Sequence, residues 1–225
     1  MTTGTRPPRA RPHGPARTTV VASVDADANV DGRRAWRDRN LGAVVDALLD
    51  LFSEGNLRPG ADEIAARSGV SRRSVFRYFD DLDGLDRVAL ERQAERVSHL
   101  LDIEGLGEGA LADRIEALIA QRLRLFEAIL PVARVSRLRA PFEPVVADGL
   151  ARGRRQFRRQ VERQFPDELR ALGRNERSAT LGAVDVLCSF EAYELLRLGH
   201  EQTPKQIGDV MRAGLTSLLG GRRGR

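Results

Sequence analysis

Three arginines lie between residues 71 and 79, in a stretch that contains no acidic side chain. Arginine can donate two parallel hydrogen bonds to one guanine edge, and serine can bond several base edges. A neighbouring tyrosine hydroxyl is suited to a phosphate oxygen, which fixes position rather than sequence. The stretch therefore predicts contacts to double-stranded DNA, made by Arg72, Arg73, Ser74, Arg77 and Tyr78.

The residues that precede this stretch predict a short helix followed by a tight turn. Ile64 and the small Ala65 give this helix an apolar face over which a second helix can cross closely. Gly69 is suited to end the helix, because glycine adopts positive φ without a side-chain penalty. Val70 follows as the residue predicted to plug the space between the two helices.

The arginines themselves are predicted to lie on the second helix. Ser71 is a good N-cap for that helix, and Val75, Phe76 and Phe79 recur at the spacing of one buried face. Residues 61–79 thus predict a helix-turn-helix whose outer face is basic. The alternative is an ordinary helical protein, in which a glycine separates two helices and arginines occupy the exposed side.

The segment IAARSGVSRRSVFRYFDDLDGL is similar to the N-terminal motif of the TetR family of transcriptional regulators. That motif combines an Ile-Ala pair, Gly-Val-Ser, an aromatic residue, a Phe and a Leu on the next helix. The resemblance implies an all-α fold, with a three-helix helix-turn-helix DNA-binding domain followed by a larger C-terminal helical domain for ligand binding and dimerisation. The matching residues are Ile64, Ala65, Gly69, Val70, Ser71, Phe76, Phe79 and Leu85.

The motif departs from the family pattern at three positions that commonly contact the DNA backbone. Phe76 replaces a tyrosine, Leu82 replaces a lysine, and Gly60 replaces a threonine. We therefore expect backbone contacts to shift to Arg77, Tyr78 and the arginines before the first helix. Four aspartates at the start of the next helix suit its dipole but would repel a close phosphate; they are Asp80, Asp81, Asp83 and Asp86.

An apolar stripe predicts the first helix, and arginines come before it or in its first turn. By resemblance to the family, this end lies beside DNA, so Arg37 and Arg39 are predicted phosphate contacts; a solvated helix end is the alternative. The stripe consists of Leu41, Val44, Val45, Leu48, Leu51 and Phe52.

Composition and periodicity divide the 225 residues into four segments. Residues 1–32 are predicted to be a disordered basic tail, because they are rich in Pro, Arg and Thr and lack apolar periodicity. A transit peptide is the alternative, but four prolines oppose the amphipathic helix that such a peptide forms. Residues 33–80 are the predicted DNA-binding domain and 81–221 the ligand-binding and dimerisation domain. Residues 222–225 form a second tail. The net charge of +5 is compatible with a nucleic-acid partner.

Further helices are predicted beyond the helix-turn-helix. They cover residues from about 81 to 102, then 111–130, 132–138 and 145–165, with Pro131 breaking or kinking the pattern. The arginines of 145–165 predict a solvated face, or alternatively a second nucleic-acid surface.

The last two predicted helices differ in character from the others. Residues 176–199 are apolar nearly all round, which indicates cover on every side, while Thr203 and Pro204 begin a final helix through residue 219. The resemblance implies that these two helices from each subunit form a homodimer interface. An ordinary core helix pair is the alternative.

The resemblance also implies a small-molecule effector site in the C-terminal domain. The residues on the helices that line the family's pocket would suit an apolar ligand with a polar or cationic group, although core packing explains each aromatic more simply. These candidates are Phe126, Leu130, Phe157, Phe190, Glu191 and Tyr193.

The chemistry of an enzyme or a metal site is not evident in the sequence. The histidines, His13, His99 and His200, do not lie at metal-ligand spacing with the single cysteine, Cys188. Carboxylates such as Asp185 and Glu194 more often pair with arginine than transfer protons. We therefore predict no catalytic activity, no metal and no cofactor. Cys188 is predicted to be a buried small hydrophobe, with a redox-sensing thiol as the alternative.

Residues and resemblance together predict a dimeric transcriptional repressor. We expect it in the cytoplasm, because no apolar run is long enough to span a membrane. Two recognition helices about 34 Å apart would read a palindromic operator, and an effector would favour the state that cannot dock. Two alternatives remain open. One is a ligand-independent DNA-binding activator or architectural protein, and the other is a helical enzyme or adaptor that carries the same module.

Overall fold

The computed structural model describes residue 1, residues 24–79 and residues 82–220, and these residues contain no β-strand. The all-α class predicted from the sequence is confirmed. A 3-10 turn, Ser98–Leu100, and a π-helical turn, Leu195–Gly199, accompany the α-helices. The helices are α1 (Val24–Ser53), α2 (Ala61–Ser68), α3 (Arg72–Tyr78), α4 (Leu82–Arg96), α5 (Leu111–Arg139), α6 (Pro144–Gln164), α7 (Pro166–Arg170), α8 (Arg174–Leu187), α9 (Phe190–Glu194) and α10 (Pro204–Gly220).

The chain falls into two units, Met1–Arg39 and Asn40–Arg225. In the first unit, α1 begins at Val24, inside the segment 1–32 that was predicted to lie outside the fold. The rest of the predicted N-terminal tail, residues 2–23, and the C-terminal tail 222–225 lie outside the described residues.

Helices α1 to α3 share a buried apolar cluster, called here the N-terminal core. The stripe predicted on the first helix is buried in it, together with Ile64, Val75 and Phe79. Residues beyond the predicted domain boundary at 80 also contribute. They are Leu85 and Ala89 on α4, and Val132 and Val135 on α5. The helix-turn-helix therefore shares its core with helices assigned from sequence to the C-terminal domain.

The C-terminal core gathers side chains from α5, α6, α7, α8, α9 and α10. The predicted helices 111–130 and 132–138 are a single helix, α5, with Pro131 inside it. Proline removes one backbone hydrogen bond, but apolar residues are buried on both sides of it, Phe126 in the C-terminal core and Val135 in the N-terminal core. Burial of both ends explains why the helix continues.

The single helix predicted over residues 176–199 is interrupted. Helix α8 ends at Leu187, and the Ser189 hydroxyl accepts a hydrogen bond from the Ala192 backbone N–H at 3.0 Å, which starts α9. The serine side chain thus bonds a backbone N–H that, in an uninterrupted helix, would bond the carbonyl oxygen four residues earlier. Helix α4 is shorter than predicted, whereas α6 and α10 lie close to their predicted bounds.

An ion-pair triad joins α4 to the end of α5. Arg139 donates to both carboxylate oxygens of the buried Asp86, at 3.0 and 2.5 Å, and also to Glu143. Its guanidinium lies 4.7 Å from the ring centre of Phe52 on α1. Burial, together with the nearby carboxylate of Glu143, raises the pKa of Asp86 to about 6, against the opposing effect of Arg139.

The raised pKa of Asp86 predicts a specific pH dependence of stability. The folded chain holds the Asp86 proton more tightly than the unfolded chain, whose aspartate pKa is about 3.9. Ionisation of Asp86 between about pH 4 and pH 6 therefore costs folding free energy, and stability falls as pH rises through this window. Asp86→Asn should lose this dependence in urea unfolding measured across the same pH range.

The exposed Asp148→Asn variant is the control for loss of a carboxylate. The quantity compared is the free energy of unfolding of wild type minus that of Asp86→Asn. If this difference rises with pH between 4 and 6, attraction to Arg139 outweighs the burial of Asp86.

Candidate nucleic-acid interface

Helix α2 ends as the sequence predicts, in a left-handed turn. Gly69 has φ 69° and ψ 13°, a region that favours glycine. At the other end, Gly60 has no side chain to serve as a cap. Glu63 compensates in part, because its carboxylate accepts the Gly60 N–H at 2.7 Å. The Glu63 half of a capping box is thus present, while the half that a threonine hydroxyl would supply is missing.

Helix α3 is oriented by its cap and by two buried side chains. The Ser71 hydroxyl accepts the Ser74 backbone N–H at 3.2 Å, which confirms the predicted N-cap. Val75 and Phe79 are buried, as predicted. Val70, predicted to be a buried plug, is only half-buried and packs against the N-terminal core.

The prediction that Phe76 shares the buried face of α3 is wrong, because its side chain is 49% exposed. A helix turns by about 100° per residue, so Phe76 lies far from Val75 and close to Arg72, four positions earlier. The order around the outer face is Arg72, Phe76, Arg73 and Arg77, within an arc of about 140°. The outer face of α3 is therefore basic with an aromatic residue inside it.

Arg72 has two partners on this face. Its Nη1 lies 3.0 Å from Oδ2 of Asp62 on α2, and its guanidinium is 5.8 Å from the ring centre of Phe76. The side chains of Arg72 and Asp62 are both more than half exposed. Exposed ion pairs contribute little free energy, so Arg72 can exchange Asp62 for another partner at small cost.

The other predicted base contacts differ in how they are held. Arg73 is exposed and forms no hydrogen bond or ion pair with the described residues. Arg77 is exposed and donates to the Tyr78 hydroxyl at 3.3 Å, which also accepts from Asn40 at 3.3 Å. Ser74 is half-buried, and its hydroxyl lies 3.0 Å from that of Ser71. The structure thus brings the arginines together on the outer face and holds Ser74 at the cap.

The remaining predicted DNA contacts lie on α1, in the first unit, where Arg37 and Arg39 are both exposed. Of the four aspartates expected to repel phosphate, Asp80 and Asp81 lie outside the described residues. Asp86 does not add to the surface charge, because it is 4% exposed and is paired with Arg139. That part of the expectation is wrong.

Four of the predicted ligand-binding residues are packed against one another. The Phe126 ring centre lies 5.8 Å from Phe157, 5.7 Å from Phe190 and 5.5 Å from Tyr193, which are ordinary distances for aromatic pairs. Leu130 is half-buried beside the C-terminal core. The four rings of Phe126, Phe157, Phe190 and Tyr193 form what we call the aromatic cluster, and their contacts favour the core-packing interpretation.

Glu191, the sixth predicted ligand residue, lies in a different setting. Its carboxylate pairs with Arg137 at 3.0 Å and with Arg154 at 3.1 Å. All three side chains line an open cleft of about 500 Å³ between the end of α5, the start of α6 and α9. Arg154 of α6 is thus paired with a residue of α9, and Arg158 of α6 is paired with Asp185 of α8. The other arginines predicted to form a solvated face on α6 are exposed.

Sequence reasoning missed the polar residues buried in the C-terminal core. Gln121, Arg122 and Gln164 are each fully buried. A signal for Arg122 is present in the sequence, since Leu118 and Phe126 are four positions before and after it on α5. A charged residue in the middle of an apolar stripe indicates a buried charge.

Helices α8 and α10 pack closely and leave apolar side chains uncovered. A Cβ on Gly214 of α10 would lie 2.5 Å from Cδ2 of Leu187 on α8, so glycine allows the close approach. Val186 on α8 is 70% exposed, and Val210, predicted to lie on the apolar side of α10, is 38% exposed. Leu195 and Leu198 in the π-helical turn are also exposed.

The described residues carry neither a membrane-spanning segment nor a metal cluster. None of their helices is both long enough and apolar enough to cross a bilayer. Within the same part of the chain, no three His, Cys, Asp or Glu side chains are grouped as metal ligands.

A helix-turn-helix at the N-terminus of a larger all-α chain defines the architectural class. Solved TetR-family transcriptional regulators have this fold: one from Streptomyces coelicolor (TM-score 0.62, 17% identity, 81% of each chain covered) and one from Mesorhizobium loti (0.61, 16%, 82% of this chain and 96% of that one). A transcriptional regulator from Rhodococcus sp. RHA1 is similar at TM-score 0.61 and 19% identity, over 82% of this chain and 96% of that one. No protein-family model and no curated protein sequence matches the chain. The fold is therefore that of TetR-family regulators, and the resemblance inferred from the motif is confirmed.

The turn between α2 and α3 makes Gly69 a sensitive position. No atom lies within 4 Å of a Cβ built there, so Gly69→Ala meets only the backbone cost of positive φ, about 1 kcal/mol. Gly153 in α6 has equally open surroundings but ordinary φ. Gly153→Ala should stabilise the fold by about 0.5–1 kcal/mol. Urea unfolding should give opposite signs for the two variants; equal signs would contradict the importance of the turn.

Proposed function

We propose that the chain is a dimeric, sequence-specific DNA-binding transcriptional regulator, and that a small-molecule effector releases it from a palindromic operator. The observation that carries this proposal is the basic outer face of α3, exposed on a TetR-type fold. An enzyme is not supported by any comparable arrangement of side chains in the described part of the chain.

Helix α3 would enter the major groove with its outer face toward the base edges. Arg73 and Arg77 would donate bidentate hydrogen bonds to guanine, and Arg72 would do so after leaving Asp62. Phe76 would contribute an apolar contact of the kind that recognises a thymine methyl group. Tyr78, held by Asn40, would bond a phosphate, which partly replaces the hydroxyl missing at Phe76.

Dimerisation would place two such helices in successive major grooves. The exposed Val186 and Val210 support an interface built on α8 and α10, because they are apolar side chains left uncovered on two helices that pack together. In a symmetric dimer the same patch meets itself. A separation near 34 Å between the two α3 helices would then match one turn of DNA.

Effector release would act through α5, the helix that contributes to both cores. A shift of α5 in the C-terminal core would also move Val132 and Val135 in the N-terminal core. Helix α4 would follow, because Asp86 ties it to Arg139, while Arg96 ties its other end to Asp46 of α1 at 2.7 Å. The effector must bind the released state better than the DNA-binding state.

A ligand-independent DNA-binding protein is the second candidate. The aromatic cluster favours it, because those side chains fill the space that an effector would occupy. Measurements of operator binding in the presence of small molecules would separate the two functions.

Sequence recognition by α3 can be tested by selection of DNA. Fragments selected from a random DNA pool should contain a palindrome with half-sites about one helical turn apart. Arg73→Ala should weaken binding to that site by about 1–3 kcal/mol and relax the preference at one base position. Arg124→Ala removes an exposed arginine on α5 that has no ion pair with the described residues, and it should leave binding unchanged. Equal weakening of Arg73→Ala on selected and random DNA would contradict direct readout.

Assembly through α8 and α10 can be tested by sedimentation. The wild-type chain should sediment as a dimer, and Val186→Glu should shift it to monomers, because a charge would be buried in the interface. Leu138→Glu changes an equally apolar side chain that is 57% exposed on α5, and it should remain a dimer. A monomeric wild type, or a dimeric Val186→Glu, would overturn the proposed interface.

A further inference from the structure

Arg122 is a fully buried cation whose hydrogen-bond acceptors are all neutral. Its Nη1 donates to the side-chain oxygens of Gln121 and, at 2.9 Å, of Gln160. Its Nη2 donates to the Phe157 carbonyl oxygen at 3.4 Å, and its Nε has no acceptor. In the described part of the chain, no carboxylate forms an ion pair with it. The site therefore holds a positive charge with no counter-charge in contact.

Two nearby groups do not neutralise this charge. The Asp185 carboxylate is paired with Arg158. The Cys188 thiol stays protonated at neutral pH, because burial raises the pKa of Cys188 to about 11. Burial lowers the pKa of Arg122 to about 10, which still leaves the guanidinium charged at pH 7.

A second buried arginine on the same helix, Arg114, has a carboxylate partner, although its Nε also lacks an acceptor. It is 7% exposed and donates to both carboxylate oxygens of Glu168, at 2.6 and 2.9 Å. A buried charge without such a partner is costly. The missing carboxylate is thus specific to Arg122, and α5 contains a close comparison for it.

The surroundings of Arg122 are aromatic on one side. Its guanidinium lies 4.3 Å from the ring centre of Phe157, which is packed edge-on against Phe126 of the aromatic cluster. At the far side of the cluster, Arg137 lies 3.9 Å from the ring centre of Phe190 and also lines the open cleft. The aromatic rings therefore lie between the cleft and the buried cation.

We propose that Arg122 binds the carboxylate of an anionic effector whose apolar or aromatic body displaces the rings of the aromatic cluster. The Nε and Nη2 groups supply the two parallel donors that a carboxylate accepts. Entry is from the cleft beside Arg137. The site deepens the proposed function, on which its role as an effector site rests. It narrows the expected apolar ligand with a polar or cationic group to one whose polar group is an anion.

Ligand binding to the full chain tests the site without DNA. The probes are hexanoate, decanoate, benzoate and 4-phenylbutyrate, each compared with its primary amide by thermal shift and calorimetry. We expect at least one carboxylate to bind about tenfold or more tightly than its amide. Arg122→Met should abolish that difference, and Arg122→Lys should reduce it, because a point charge replaces the bidentate fork.

The thermal stability of the ligand-free variants separates a binding role from a structural one. Arg122→Met should keep or raise Tm, because it removes a charge that has no carboxylate partner. Arg114→Met should lower Tm, because it leaves Glu168 without that partner. If Arg122→Met lowers Tm as much as Arg114→Met, Arg122 is structural.

The remaining outcomes are also decisive. If no carboxylate is preferred over its amide, or if the preference survives in Arg122→Met, the site is overturned. A carboxylate preference in a chain that enriches no DNA sequence would support the site and overturn the regulatory function. An enriched palindrome without a carboxylate preference would do the reverse.

Discussion

The N-terminal core depends on side chains donated by α5, and this constraint governs the rest of the structure. Val132 and Val135 of α5 are buried in the same cluster as the apolar side chains of α1 to α3. The same helix contributes Ile115, Leu118 and Phe126 to the C-terminal core. A helix shared by two cores cannot move in one without repacking the other, since protein interiors are densely packed. Pro131 lies where α5 passes from one core to the other.

Local features of the fold could be predicted from the sequence because they depend on neighbouring residues. The cap at Ser71, the left-handed Gly69 and the stripe of α1 each follow from side chains a few positions apart. Phe76 could not be placed by type alone, since an aromatic residue fits either side of a seven-residue helix. The interruption after Leu187 depends on a serine whose capping role competes with an uninterrupted helix, and sequence alone does not decide that competition.

The arginines could be counted from the sequence, but their roles could not be assigned. Arg73 and Arg114 are the same residue type, yet one is exposed on α3 and the other is buried against Glu168. The partner of Arg114 is 54 positions away, a separation that periodicity does not report. The packing of the predicted ligand residues could not be predicted for a similar reason. Aromatic residues on facing helices line a cavity or fill it, and their ring distances here show that they fill it.

Three buried arginines of α5 differ in their partners: those near the two ends of the helix pair with carboxylates, and the one near its centre does not. Arg114 fixes its start to α7 through Glu168, and Arg139 fixes its end to α4 through Asp86. Arg122 lies between them and has only neutral acceptors. An anion at the centre would supply the missing counter-charge and require the surrounding rings to move, while the paired ends would carry the displacement to α4. A change at the centre of α5 thus has a physical route to the helix that supports α3.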